Sequence, residues 1–81
     1  MPSKSVTVGS SVGLHARPAA LISEAAGALG SAVTINGVDA SSSLMIMTLG
    51  AKCGDTVEVA GEDQSDVDSI AALVEQDLDA D

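Results

Sequence analysis

The spacing of apolar residues changes period several times along this chain, and that alternation leaves few folds open to it. Ser5-Val6-Thr7-Val8 and Asp55-Thr56-Val57-Glu58-Val59-Ala60 alternate polar and apolar residues with a period of two, the mark of a strand buried on one face. Between and after them, apolar residues return at three and four positions, the spacing of one helical face. Pro18, Ile22, Ala25 and Leu29 make such a stripe over 16–29, with Gly30 offering a stop. Val67, Ile70, Val74 and Leu78, with Leu73 in the flank, make another.

Shorter signals fill the gaps. Gly9-Ser10-Ser11 and Gly13 carry the chain from the first strand into a loop. Ala32-Val33-Thr34-Ile35 reads as a strand, and Asn36-Gly37 as a two-residue hairpin turn, because both residues tolerate the positive φ a tight turn demands. Val38-Asp39-Ala40 is expected to run back beside it. Ser41-Ser42-Ser43 precedes Leu44-Met45-Ile46-Met47-Thr48-Leu49-Gly50, where a serine can cap a short helix that the glycine ends; a strand is the competing assignment for so short an apolar run. After a polar turn over Gly61 to Gln64, Ser65 and Asp68 resemble a capping box. Asp66 and Asp68 suit the positive end of the last helix, whereas Asp77, Asp79 and Asp81 crowd its negative end and are expected to fray it. The order βαββαβα predicts an α+β fold, an antiparallel sheet with helices on one face. With no internal repeat or linker, residues 1–81 are expected to form one domain.

Composition narrows the function. No Phe, Tyr or Trp is present, so the core must be built from Val, Ile, Leu, Met and Ala, and few surfaces remain on which bases or sugars could stack. Twelve acids against three Lys and Arg give a net charge of −9, which repels nucleic acid and anionic membranes. No segment looks like a signal peptide or a membrane span, so a cytoplasmic protein is expected. Abundant Asp with so few lysines also fits adaptation to high salt, with stability that rises between low and molar salt. Cys53 is the only cysteine and cannot form an internal disulfide; Lys52 is the one charge beside it, and a passive turn residue is expected. Glu62, Asp63, Asp66 and Asp68 lack the loop glycine and terminal bidentate Glu of a calcium loop, so no metal is expected, nor any other cofactor.

The chemistry concentrates in Gly13-Leu14-His15-Ala16-Arg17-Pro18-Ala19-Ala20, which holds the only histidine. Pro18 suits the first turn of a helix, where its missing N–H would have had no helical partner. The helix is then expected to begin at about Ala16 with His15 at its lip. There the free amides of Ala16 and Arg17, the positive helix end and the Arg17 guanidinium converge on an anion site. Neutral imidazole is a nucleophile near pH 7, and nearby positive charge holds its proton affinity down. Phosphorus fits as the electrophile, since the new oxygens would be met by charge-assisted hydrogen bonds. No second His, Lys or carboxylate lies within four residues of His15 to act as acid or base, so the group is held for transfer rather than hydrolysed. On spacing alone, a surface cap at a helix mouth is the other reading of this histidine.

This octapeptide resembles the active-site signature of the HPr family, the histidine-containing phosphocarriers of the bacterial sugar phosphotransferase system. The likeness continues through Asn36-Gly37, Ser42, Leu49-Gly50, Gly54-Asp55 and the final helix, in the family's own order βαββαβα. It implies an open-faced β-sandwich with four antiparallel strands and three helices on one face. It also implies that His15 takes a phosphoryl group on Nδ1 from phosphorylated Enzyme I, itself charged by phosphoenolpyruvate, and passes it to IIA components for sugar uptake. Arg17 and the Ala16 amide would steady the phosphate, and the protein would be a monomeric relay partner rather than an enzyme turning over alone. A family serine open to a regulatory kinase falls at Ser42, or at Ser43 with a slip of one. Ser43 stands where a large apolar side chain is common in the family, and Glu24, Gly27 and Met45 where basic residues commonly rim the site. Partner docking is therefore expected to lean on apolar contact, through Leu44, Met45, Ile46 and Met47 with Ala16, Ala20 and Leu21; the sequence does not apportion Ile46 and Met47 between patch and core. A regulatory binding protein of the same fold, reporting to a transcription regulator or kinase, is the alternative.

Overall fold

The computed structural model describes residues 2–9, 13–14, 16–29 and 32–76. Among them the order is β1 (Ser3–Thr7), α1 (Ala16–Gly27), β2 (Val33–Ile35), β3 (Val38–Asp39), α2 (Ser43–Thr48), β4 (Thr56–Gly61) and α3 (Gln64–Glu75). The strands form one antiparallel sheet in the order β1-β4-β2-β3. This is the expected α+β open-faced sandwich. Period two decides its faces: Val6 opposes Val57 across β1 and β4 and Ile35 opposes Val59 across β2 and β4, all buried. Ser5 opposes Glu58 and Thr7 opposes Thr56 on the other, exposed side.

The helices close the apolar face. α3 packs on β1, β4 and β2, α1 packs against α2 and α3, and α2 reaches β3. Without aromatic rings, the interior is filled by Ile22, Ile35, Ile46 and Ile70 with Val8, Val59, Val67 and Val74, all fully buried. Burying each such side chain is worth about 1.5–3 kcal/mol.

Local chemistry explains the turns. Asn36 and Gly37 have φ of 50° and 84°, the two positive values the hairpin signal requires. Ser42 caps α2, its Oγ accepting from the Met45 amide at 3.3 Å, and Gly50 follows the helix end with φ 64°.

Several boundaries differ from the sequence expectation. β1 starts at Ser3, and Val8 leaves the ladder to bond the loop before β4, its amide donating to the Asp55 carbonyl at 2.8 Å. Ala40 ends β3 in a turn, its amide donating to the Val33 carbonyl at 3.0 Å. α1 ends at Gly27, and its buried positions are Pro18, Ala19, Ile22 and Ala26, with Ala25 and Leu29 only partly covered. Alanines on adjacent rows let the buried face rotate toward its two helix neighbours. Gly61 belongs to β4 and not to a turn, packed so closely that a Cβ there would stand 2.9 Å from the Ala32 carbonyl oxygen. Asp63, not Ser65, caps α3: its Oδ1 accepts from the Ser65 amide at 2.9 Å and hydroxyl at 2.8 Å. An ionised carboxylate is the stronger acceptor at a positive helix end. Ser10, Ser11, His15, Gly30, Asp77, Leu78, Asp79 and Asp81 lie outside the described residues. Among those described, no helix is long and apolar enough to cross a membrane.

Candidate functional site

The candidate site is built around the start of α1. Ala16 and Arg17 open the helix and are exposed, whereas Pro18 and Ala19 turn inward. The first amides of a helix lack intrahelical acceptors, and no other acceptor for the Ala16 or Arg17 amide is present among the described residues. Two donors without a partner among the described residues thus share the first turn with the Arg17 side chain. His15 itself lies outside the described residues, joined by peptide bonds to Leu14 and Ala16.

Tertiary contact fixes this helix start. Leu14 is buried, and its amide donates to the Ala51 carbonyl at 2.9 Å. Gly13, with φ 78°, lies so close to the segment after α2 that a Cβ would stand 2.5 Å from the Ala51 oxygen and 2.9 Å from the Lys52 Cα. Only glycine fits both the backbone angle and the space. Lys52 is therefore brought beside Gly13, three residues before α1, a neighbour beyond Cys53 that the sequence alone does not reveal. No local signal could have found it, since the contact joins segments 38 positions apart, Gly13 and Ala51.

The expected docking residues divide. Leu21, Leu44, Met45 and Met47 are 37% to 67% exposed, and they are the large apolar side chains left exposed among the described residues. All sit on α1 or α2, which pack together, and Ala16 and Ala20 are exposed on the same α1. Ile46 does not join them. It is fully buried, because a helix of six residues can turn only one of its four central apolar side chains straight into the core.

Ser42 is half-buried and engaged as the α2 cap, and Ser43 opens the helix. Ser41 donates through both its amide, at 2.9 Å, and its hydroxyl, at 2.7 Å, to Asp39 Oδ1, and these bonds, the hydroxyl's first, hold the Asp39 carboxyl below its ordinary value. Cys53 is exposed with a free thiol. No group of three His, Cys, Asp or Glu able to hold a metal occurs among the described residues.

Known proteins share this fold. The family model described as "PTS HPr component phosphorylation site" matches residues 2–76. The phosphocarrier protein HPr of Streptomyces coelicolor is 38% identical, over 94% of this chain and 83% of that protein. Among solved structures, HPr-C-His from Thermoanaerobacter tengcongensis aligns with a TM-score of 0.87 at 27% identity, over 100% of this chain and 99% of that one. The phosphocarrier protein HPr of Bacillus anthracis str. Ames aligns with a TM-score of 0.82 at 30% identity, over 89% and 94%. Family match, sequence identity and fold agree, and the chain belongs to the HPr family, the phosphocarriers of the phosphotransferase system.

Proposed function

We propose that this chain is a single-domain relay in which His15 carries a phosphoryl group from phosphorylated Enzyme I to IIA components. The Nδ1 lone pair attacks phosphorus and forms an N–P bond, while the donor's own bond to phosphorus breaks and its electron pair returns to the donor. No water is consumed, and the reverse pair of events on a IIA acceptor empties the site. Arg17 and the Ala16 amide hold the phosphoryl oxygens by charge-assisted hydrogen bonds. The exposed Leu21, Leu44, Met45 and Met47 with Ala20 receive each partner in turn, excluding water around the transfer.

One observation carries this reading: in a chain of this family, the exposed start of α1 belongs to a pair of packed helices, α1 and α2, that bear the exposed apolar side chains. Ser42 enters as a regulatory acceptor. A phosphate there would suit the α2 start but would place charge beside Met45, whose covering by a partner it opposes.

The test is direct. With Enzyme I, magnesium and labelled phosphoenolpyruvate, acid-labile label is expected on the chain, absent in His15→Ala, and chased onto a IIA protein. Absence of label on the wild type overturns the proposal. Label that loads but reaches no IIA replaces it with the regulatory reading.

A further inference from the structure

Resting on that reading, we propose that Lys52 is a second cation of the phosphoryl site, acting with Arg17 to draw the group onto position 15. The chain has only three basic side chains, Lys4, Arg17 and Lys52. Lys4 stands on β1, in register with Val59 of β4. The other two come from distant parts of the sequence: Arg17 stands in the first turn of α1, and the Lys52 backbone packs against Gly13, three residues before that helix.

The backbone of Lys52 is fixed while its side chain is not. Its amide donates to Asp55 Oδ2 at 2.9 Å, and its carbonyl accepts from the Asp55 amide at 2.9 Å, closing a small turn. Gly13 and Leu14 pack on this turn through the contacts described above. The side chain is exposed, and no carboxylate among the described residues pairs with its ammonium; Asp55 is engaged by the backbone amide instead. Position 15 follows Gly13 in the chain by two Cα steps of about 3.8 Å each, and a flexible four-carbon stem rooted against Gly13 spans a comparable length.

Charge gives the arrangement its purpose. A phosphoryl group brings about −1.5 to −2 more charge to a chain that already carries −9. One guanidinium offsets only part of that, and a second cation nearby lowers the cost of loading. Lys52 thereby acts on the charge that develops during transfer and not on the folding of the site.

The experiment compares the wild type with Lys52→Gln, Lys52→Arg and Lys4→Gln as full chains, using Enzyme I and labelled phosphoenolpyruvate. Melting temperatures are expected to be alike, since the bonds of this turn are made by the backbone. Loss of one unit charge at this range should lower kcat/KM for loading about fivefold in Lys52→Gln at low salt, and molar KCl should narrow the gap by screening. Lys52→Arg should restore loading to near wild type. Lys4→Gln, with the same change in net charge on a remote strand, should load normally. The inference is overturned by normal loading of Lys52→Gln, by equal loss in Lys4→Gln, or by failure of Lys52→Arg to rescue. Failure of the wild type to load overturns the phosphocarrier reading itself, and shows without any variant.

Discussion

Gly13 and Gly37 make a matched pair for testing what holds the site in shape. Both have positive φ, 78° and 84°, but a Cβ at Gly37 would meet nothing within 4 Å, whereas at Gly13 it would stand 2.5 Å from the Ala51 oxygen. Gly37→Ala should therefore cost only the left-handed backbone term, about 1 kcal/mol. Gly13→Ala carries the same term and must also push the Ala51 carbonyl away by nearly an ångström. That movement breaks the Leu14 amide bond to Ala51, worth about 1 kcal/mol, and loosens the packing of buried Leu14 by about 1 kcal/mol more. The expected total for Gly13→Ala is about 3 kcal/mol. In a domain of this size each kcal/mol moves the midpoint by about 4–8 °C. Urea unfolding of both variants measures the two costs. At a temperature where both remain folded, phosphoryl loading should fall in Gly13→Ala and stay normal in Gly37→Ala, because only the first moves α1's start from Lys52. Equal destabilisation of the two variants, or normal loading in Gly13→Ala, would refute the reasoning.

The other expectations follow from burial and charge. Ile46→Ala should cost about 2–5 kcal/mol in urea, while Leu44→Ala, on the exposed side of α2, should stay within about 0.5 kcal/mol. Met45→Glu should leave the melting temperature unchanged and slow exchange with Enzyme I severalfold at saturating phosphoenolpyruvate; an unchanged rate removes the α2 face from docking. Asp63 is held below its ordinary 3.8, first by the Ser65 hydroxyl and then by the Ser65 amide. A lowered folded value means that its support of α3 is complete above the ordinary carboxylate range and is lost as pH falls through the lower value. Asp63→Asn keeps an acceptor at the cap and should lose that acid dependence, flattening the stability profile below about pH 4. Raising KCl from about 0.1 M to about 2 M should increase the melting temperature by screening the net negative charge; a fall would show that self-repulsion is not a significant stability term.

Periodicity made most of the fold legible because its elements bury one face and expose the other. The strand alternation at Val57 and Val59, the stripe at Val67, Ile70 and Val74, and the Asn36-Gly37 turn are local statements, and the structure repeats them. Legibility failed where two candidates were equally near or where an element was too short to repeat. Asp63 and Ser65 stand two residues apart at the head of α3, and the choice between them is one of acceptor strength, which spacing does not encode. α2 makes less than two turns, so nothing in its sequence separates Ile46 from Met45 and Met47; only the sheet and α1 do. At the site, Ala16, Arg17 and Pro18 were readable because they are consecutive. Lys52 was not, because its place beside Gly13 is a product of the whole topology.

The exposure of these groups bears on what a carrier needs. A phosphoryl group that must leave again cannot sit in a deep cationic pocket, since buried, fully paired charges are held by several kcal/mol more than exposed ones. Arg17 and Lys52 are both exposed, and solvent keeps each such interaction near or below about 1 kcal/mol. That is enough to favour loading and too little to trap the group. On the proposed reading, a partner that covers the apolar skin of α1 and α2 would displace water and make the same charges act more strongly during transfer. A weak resting clamp that tightens under the partner also predicts that free phosphorylated chain is no better shielded from salt than any surface ion pair. Its acid-labile bond should therefore decay at a rate set by pH, and partner binding rather than the isolated fold should set the speed of exchange.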